Sequence, residues 1–361
     1  MAGDPHQDAP PPGDPHPGVR PEWLAQTREA VLDPGLPIID AHHHLWSKPG
    51  DRYTVDEMLS DATSGHRIVA TVFVEGNTAY RTDGPEALRP VGETEMAAAA
   101  AEEAEARGGC RVAAGIVARA DLTLGTAVAP ALDAHSGAAG GRLRGVRYST
   151  PWHADPVARG SSRLTPAGLL YDPGFRDGLG ELVRRDLTFD AWMYHAQLGD
   201  LIDLAHAMPD LKIVLDHAGG PLGIGPYAGR REEVFVDWSH WISRLARFEN
   251  IDVKLGGLAM RLTGFGFHDR PEPPGSQELA AAWKPYIETC IDAFGPERCM
   301  FESNFPVDKG SASYVAVWNA FKRLAEPYDP DERHALFFAT ANRAYSLKIA
   351  ESTPTGLERS A

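Results

Sequence analysis

Three consecutive histidines follow a short apolar stretch near the start of the chain, in the segment IIDAHHH at residues 38–44. Alternate side chains of a β-strand share a face, so we expect Asp40, His42 and His44 on one face and His43 on the other. Residues two apart lie about 6.6 Å from each other, which lets two imidazoles converge on one ion or one substrate oxygen. The alternative is that the histidines only satisfy loop backbone groups. Burying three of them without a task would be costly, which favours a functional site.

A second histidine follows another apolar stretch, in the segment IVLDHAGGP at residues 213–221. An apolar strand that runs into Asp-His and a glycine turn would leave His217 at the end of the strand. A neutral imidazole is a suitable general acid–base near pH 7. The alternative is a structural histidine that caps the turn.

Charged residues end other apolar segments. Glu75 and Arg147 do so, and Lys254 lies inside one. A guanidinium can hold a substrate carboxylate through a bidentate fork, although a salt bridge to a neighbouring acid would use the same group. Glu75 and Lys254 are expected either to line the site or to form an internal ion pair. Arg261 lies in the glycine-rich loop that follows Lys254, and we expect it to reach an anionic substrate.

Two carboxylates and an amide follow the last apolar segment, in the stretch FESNFPVDK at residues 301–309. Alternation places Glu302 and Asn304 on the same face, and Asp308 follows in the loop. An amide has no useful basicity. We therefore expect Glu302, with Asp308 as a substitute, to act as the base, and burial to raise the pKa of Glu302 toward neutrality.

Eight apolar segments carry these residues and alternate with helical or loop stretches, as the parallel strands of a (β/α)₈ TIM barrel do. The runner-up, a doubly wound open sheet, would require a glycine-rich turn after the first strand, where the histidines stand instead. The predicted strands are 38–44, 68–75, 111–117, 143–148, 188–194, 212–217, 251–255 and 299–303, and the predicted helices are 93–107, 199–208, 234–248, 276–294 and 314–325. Because barrel enzymes place their sites at the carboxyl ends of the strands, these polar residues should meet.

The composition sets limits on partners and compartment. The 361 residues carry a net charge of −15, which argues against a nucleic-acid or anionic-membrane surface. The three cysteines form no CxxC pair, and we expect buried thiols in a reducing cytoplasm. Residues 1–21 hold seven prolines and predict a disordered tail, followed by one barrel domain over 22–348 and a flexible tail over 349–361.

The pattern Asp40-x-His42-x-His44 with Leu45-Trp46, together with segments 213–221 and 301–309, resembles the amidohydrolase-related family. The similarity is to the lactonase branch of these TIM-barrel enzymes, which includes 2-pyrone-4,6-dicarboxylate lactonase and sugar lactonases. It extends to about residue 348. The segment 188–197 resembles the fifth strand of this branch, in which His195 stands where relatives place a histidine or another substrate-facing group; the alternative is a histidine that starts a helix.

The resemblance implies a hydrolase that opens a lactone or related cyclic ester or amide of a small, carboxylated substrate. His42, His44, His217, Glu302, Asn304 and Asp308 would be catalytic, and Glu75, Arg147, His195, Lys254 and Arg261 would bind the substrate. Asn304 stands in place of the family's aspartate, a general base or metal ligand, and Glu302 replaces a small residue. Two alternatives remain: a metal-dependent decarboxylase of an aromatic acid, and a catalytically silent barrel that binds a small ligand.

The resemblance leaves the metal open. The chain requires either no cofactor or a single divalent metal such as zinc, whose ligands would come from His42, His44 and His195. Two histidines on one strand hold an ion poorly, so weak or absent tight binding is expected. The expected partner is a small anionic molecule, with no nucleic acid and no membrane, and a homo-oligomer is compatible with the sequence.

Overall fold

Eight parallel strands form the centre of the molecule in the computed structural model, which describes residues 16–48, 51–159 and 165–350. The strands, numbered β1 to β8, are Pro37–His43, Arg67–Val74, Arg111–Ala118, Leu143–Ser149, Thr188–Trp192, Ile213–Leu215, Ile251–Leu255 and Cys299–Phe301. Each lies within a few residues of its predicted segment.

The strands pair in chain order, and β8 returns to β1. His43 forms a parallel bridge with Phe305, while Asn304 N donates to His42 O at 2.9 Å and His44 N donates to Phe305 O at 2.7 Å. These bonds close the sheet at its carboxyl end. The predicted TIM barrel is confirmed, and the doubly wound sheet is excluded.

Helices surround the barrel and cover the outer faces of the strands. They are Pro21–Leu24, Val55–Ala62, Val91–Arg107, Ala129–Ala138, Pro156–Arg159, Pro173–Arg184, Leu198–Ala207, Arg231–Leu245, Ser276–Phe294, Tyr314–Leu324, Pro330–His334 and Thr340–Ala344. The five predicted helices are present. A two-stranded hairpin, Trp46–Lys48 with Asp51–Tyr53, follows β1.

The apolar side chains form separate inner and outer layers. The inner layer includes Ile39, Val72, Val214 and Met300 from the strands, and the final segment packs onto it through Tyr345. The larger outer layer lies between the strands and the helices. The inner layer fills the barrel below the strand ends, so polar side chains at those ends rest on a packed floor.

The two ends of the described chain pack on the barrel. Trp23 Nε1 lies 3.1 Å from the carbonyl oxygens of Arg270 and Pro271, and Ile349 N donates to Asn342 Oδ1 at 3.0 Å. The greater parts of both predicted tails, residues 1–15 and 351–361, lie outside the described residues. No helix in the described part of the chain has the length and apolarity needed to cross a membrane.

Candidate active site

His42 and His44 at the end of β1 lie close together, although the strand does not alternate its side chains regularly there. The register shifts between Asp40 and His43, and His42 and His44 turn to the same side with their Nε2 atoms 3.2 Å apart. Asp40 points elsewhere and accepts hydrogen bonds from Ser303 N and the Tyr314 hydroxyl. The expectation that Asp40 shares their face was wrong, because an irregularity in the strand breaks the period of two.

Burial and nearby cations keep the two imidazoles neutral. His44 Nδ1 donates to Val74 O at 2.8 Å, and its Nε2 lies 3.2 Å from His42 Nε2. His42 Nδ1 lies 3.1 Å from both Lys254 Nζ and Glu302 Oε2. Burial holds the pKa of both imidazoles well below the usual range, with further lowering by Lys254 at His42 and by Arg147 at His44. Both rings are therefore neutral near pH 7.

His217 and Glu302 form a close acid–base pair at the barrel mouth. His217 Nδ1 donates to Glu302 Oε1 at 2.7 Å, and the backbone N–H of His217 donates to the same oxygen at 3.2 Å. No described residue bonds His217 Nε2, whose lone pair is therefore available. Burial alone would raise the pKa of Glu302, but its close contacts with the imidazoles of His217 and His42 lower it to about 2. The expected rise was wrong, so Glu302 is a permanent carboxylate and a poor base.

Two glycines after β7 make room for this pair. A Cβ at Gly257 would lie 2.5 Å from Cγ and Nδ1 of His217, and one at Gly256 would lie 2.4 Å from Cγ of Glu302. Gly257 also has a φ of +64°, which disfavours other residues. The glycine turn is therefore required for the close approach of the imidazole and the carboxylate.

Lys254 lies beneath the histidines, fully buried, and donates to Asp190 Oδ2 at 2.7 Å as well as to His42. Its Nζ also lies 2.9 Å from Asp216 Oδ1. Burial would lower the pKa of Lys254, but Asp190 and Asp216 raise it, so the ammonium stays charged. Its three N–H groups face three internal partners, which is the internal ion pair that was one of the two expectations for this lysine.

Asp190 holds Lys254 from the floor of the barrel. It also accepts hydrogen bonds from the Tyr345 hydroxyl at 2.6 Å and Thr188 Oγ1 at 2.8 Å. We call Lys254, Asp190, Asp216 and Tyr345 the floor network. Of these four residues, only Lys254 was predicted from the sequence as part of the site. Asp190 could have been found from the sequence, because a charged residue in the middle of an apolar strand indicates a buried partner or a functional role.

Arg147 pairs with Glu75 across the mouth. Its Nε donates to Glu75 Oε1 at 3.0 Å and its Nη2 to the Glu75 carbonyl oxygen, while Nη1 lies 3.3 Å from His42 Nε2. The two residues were expected near the substrate, and most of the guanidinium is committed to this ion pair. Glu93, which the sequence analysis missed, supports the turn after Glu75 by accepting from Gly76 N and Thr78 N. Burial, aided by the charge of Glu75, raises the pKa of Glu93 to about 8.

The loop after β8 brings Asn304 and Asp308 together. Asn304 Nδ2 donates to Asp308 Oδ1 at 2.9 Å, and Ala259 N donates to Asp308 Oδ2 at 3.0 Å. Burial raises the pKa of Asp308 to about 7 despite these donors. Asp308 is therefore the carboxyl group of this loop that can exchange a proton near neutrality. Asn304 has a φ of 55°, a conformation that asparagine tolerates.

The other two predicted residues lie in the segments that follow β5 and β7. His195 begins a short helical turn, its Nδ1 accepts from Leu222 N at 3.2 Å, and its ring packs against Tyr227 at 4.9 Å between centroids. Arg261 is exposed in the loop after β7.

Aromatic side chains cover the histidines. Trp46 stacks on His44 at 5.7 Å between ring centroids, and Trp192 packs edge-on against His217 at 4.8 Å. Both belong to an apolar cluster drawn from the loops above the strands, which also contains Tyr194, Leu222, Met260 and Val307. The mouth thus combines an apolar cover with a buried polar floor, as small-molecule sites do.

Among the described residues, one set of side chains could hold a metal ion, and of the predicted ligands it contains His42 but not His44 or His195. Ligand atoms of His42, Asp216 and His217 all lie within 4.8 Å of one another. Asp216 Oδ2 is buried without a hydrogen-bond donor, and Lys254 Nζ lies 2.9 Å from Asp216 Oδ1. Imidazole and carboxylate ligands suit zinc. The donor set therefore fits a divalent cation in type and spacing, although Lys254 contacts two of its members.

Comparisons with known proteins agree with this architecture. A model of the amidohydrolase family matches residues 39–347. The y4mH protein of Sinorhizobium fredii is 30% identical over 86% of this chain and 99% of its own length. The L-fucono-1,5-lactonase of Burkholderia multivorans is 30% identical over 58% of this chain and 64% of its own length. A Burkholderia multivorans amidohydrolase crystallised with zinc superposes with a TM-score of 0.67 at 23% identity, over 86% of this chain and 99% of that one.

The chain belongs to the amidohydrolase family. The predicted family and hydrolase class are confirmed. The prediction that His42, His44, His217, Glu302, Asn304 and Asp308 carry the chemistry remains a prediction.

Proposed function

We propose that this protein hydrolyses a lactone, or a related cyclic ester or amide, of a small carboxylated substrate. The hydrogen bond of 2.7 Å between His217 Nδ1 and Glu302 Oε1 carries the proposal, because it leaves a basic imidazole nitrogen at the barrel mouth. The similarity to an L-fucono-1,5-lactonase supports a lactone as the substrate class.

His217 Nε2 takes a proton from the attacking water. Glu302 holds the opposite nitrogen as a donor and supplies a negative charge to the imidazolium that forms, which is the role of the orienting carboxylate in a catalytic triad. The hydroxide adds to the carbonyl carbon, and the bond from that carbon to the ring oxygen then breaks. His217 returns the proton to the ring oxygen, so the product is a hydroxy acid. Asp308, whose pKa is about 7, is the second group placed to exchange a proton with this region.

Arg147 is our candidate for the substrate anion. Its Nη1 is the terminal nitrogen that does not bond Glu75, and it lies beside His42. A carboxylate or carbonyl oxygen received there would contact a cation next to the histidines. Arg261 is exposed and would meet the substrate from the loop side.

His42, Asp216 and His217 would hold a divalent metal if one binds. A metal in this position polarises a carbonyl group and lowers the pKa of bound water. The related amidohydrolase that was crystallised with zinc supports this assignment. A His217 that coordinates a metal through Nε2 cannot also take the proton from water, so the two arrangements are alternatives.

We also propose that residues 22–348 act as one catalytic barrel with a tail on either side. Cys110, Cys290 and Cys299 are buried and free, which suits a reducing compartment such as the cytoplasm. Neither the domain bounds nor the compartment changes which reaction the site would catalyse.

A screen of lactones tests the function. Purified protein is incubated with lactones of sugar acids and of aromatic-degradation chemistry, with and without a chelator, and acid release is followed with a pH indicator. We expect ring opening that His217→Ala lowers at least about 10²-fold. Turnover that survives the chelator supports His217 as the base, whereas turnover lost with the chelator and restored by zinc supports the metal arrangement.

Two results would contradict the proposal. Release of carbon dioxide from an aromatic acid, without opening of any lactone, would make the protein a decarboxylase. Binding of a lactone without turnover under every metal condition would make it a silent barrel.

A further inference from the structure

Lys254 places a permanent positive charge inside the candidate metal site. Its Nζ lies 3.1 Å from His42 Nδ1 and 2.9 Å from Asp216 Oδ1, and these two residues are members of the three-residue donor set. The side chains of Lys254, His42 and Asp216 are all fully buried. Little water can enter between the ammonium and its partners to screen the charge.

The lysine is held in this position from below. Asp190 accepts from Nζ at 2.7 Å and is itself fixed by the Tyr345 hydroxyl and Thr188. Turning the ammonium away would leave the buried carboxylate of Asp190 without its cation. Leaving one partner of such a buried pair without the other is strongly unfavourable.

We propose that Lys254 competes with divalent metals for His42 and Asp216 and keeps the metal affinity of this site low. A divalent cation bound to these side chains would lie close to the ammonium in a buried environment. Like charges held close together in a buried environment repel strongly, and the double charge of a metal ion doubles the repulsion. The ion must also displace the contacts that Lys254 makes with its two ligands.

Two other charged groups also affect the metal affinity of this site, but neither replaces the effect of Lys254. Arg147 Nη1 lies 3.3 Å from His42 Nε2 and adds repulsion from the other side of the ring. Glu302 Oε2, 3.1 Å from His42 Nδ1, attracts a cation. Removing the charge of Lys254 while keeping Arg147 and Glu302 therefore isolates the contribution of the lysine.

The test is zinc affinity, measured on the full chain without any substrate. The variant Lys254→Met keeps an unbranched side chain that is one atom shorter and removes the charge. The double variant Lys254→Met with Asp190→Asn also removes the carboxylate that would lose its partner, and it serves if the single variant does not fold. Each protein, stripped of metal, competes for zinc with a chromophoric chelator, and circular dichroism confirms the fold.

Two controls show whether the zinc binds at His42 and whether the gain in affinity comes from removing the charge of Lys254. Lys322→Met removes another buried lysine, which bonds the carbonyl oxygens of Leu32 and Asp33, and should leave zinc affinity unchanged. His42→Ala, introduced into the high-affinity variant, should abolish the gain.

We expect the folded Lys254 variant to bind zinc at least tenfold more tightly than the natural chain. Tenfold corresponds to about 1.4 kcal/mol, well below the repulsion expected from the charges. A gain smaller than tenfold, or a gain that persists after His42→Ala, would overturn the proposal. The result is independent of whether the protein opens lactones, so its failure would leave the proposed function standing.

Discussion

Glu302→Gln tests the role that the structure gives to the carboxylate beside His217. The amide nearly preserves the shape of the side chain and removes its charge. Its NH₂ group can also turn toward His217 Nδ1, which would then become an acceptor and move the imidazole proton to Nε2. The variant therefore loses both the negative charge facing the imidazolium and the tautomer in which Nε2 is basic.

The magnitude follows from the 2.7 Å contact between His217 Nδ1 and Glu302 Oε1. Unit charges centred about 4 Å apart attract by about 4 kcal/mol at an effective dielectric constant of about 20. At 1.4 kcal/mol for each factor of ten, kcat should fall by about 10³-fold. Neutralising the corresponding carboxylate of a serine-protease triad costs about 10⁴-fold, a loss of comparable size.

The assay compares kcat for lactone opening in the natural chain, Glu302→Gln and two controls. Asn304→Ala should cost less, because its side chain orients Asp308 and neither takes nor stabilises a proton. Glu181→Gln removes another buried carboxylate, which pairs with arginines on an outer helix, and should leave kcat unchanged. If Glu302→Gln is near normal and Asn304→Ala is the more damaging, the pairing of His217 with Glu302 is not catalytic.

Three further predictions concern neighbouring positions. Gly257→Ala should lower kcat by about 10²-fold with the fold retained by circular dichroism, since the new Cβ would displace His217; normal turnover would mean that the ring moves without cost. Asp308→Asn should flatten the pH dependence of urea unfolding between pH 4 and 7. The folded-state pKa of Asp308, about 7, lies above the usual carboxyl pKa of 3.8, so the natural chain loses up to about 4 kcal/mol of stability as pH rises through this window. An unchanged profile would refute the assigned pKa. His42→Ala should lower turnover about 10²-fold or more with normal circular dichroism, and near-native rates would mean that the site lies elsewhere.

Much of the barrel could be predicted because each strand is a short, nearly continuous apolar segment. The helices Ala129–Ala138 and Pro173–Arg184 were not predicted. The second contains glycines at 174, 178 and 180, whose low helix propensity hides the pattern. Packing of this helix against the barrel outweighs the low propensity of its glycines. That packing cannot be recognised from the pattern of a single sequence.

The candidate site also has features that could be predicted from the sequence and others that could not. His42, His217 and Glu302 could be selected because each ends a strand. The pKa of Glu302 could not be assigned from its own segment, since its direction depends on His217, which lies 85 residues earlier in the chain. The partners of Lys254 were likewise hidden, because Asp190 and Tyr345 come from distant segments that meet only inside the barrel.

The hydrogen bond from Tyr345 to Asp190 also has a consequence for biosynthesis. The hydroxyl enters the floor network from the segment that follows the last barrel helix, long after the histidines of β1 have been synthesised. A nascent chain can assemble all eight strands while Asp190 still lacks the hydrogen bond from the Tyr345 hydroxyl. A translation product that stops before residue 345 would thus hold every proposed catalytic side chain on an incompletely supported floor. Such a fragment should unfold at a lower urea concentration than the full chain, since it lacks both this donor and the packing of Tyr345 on the inner layer.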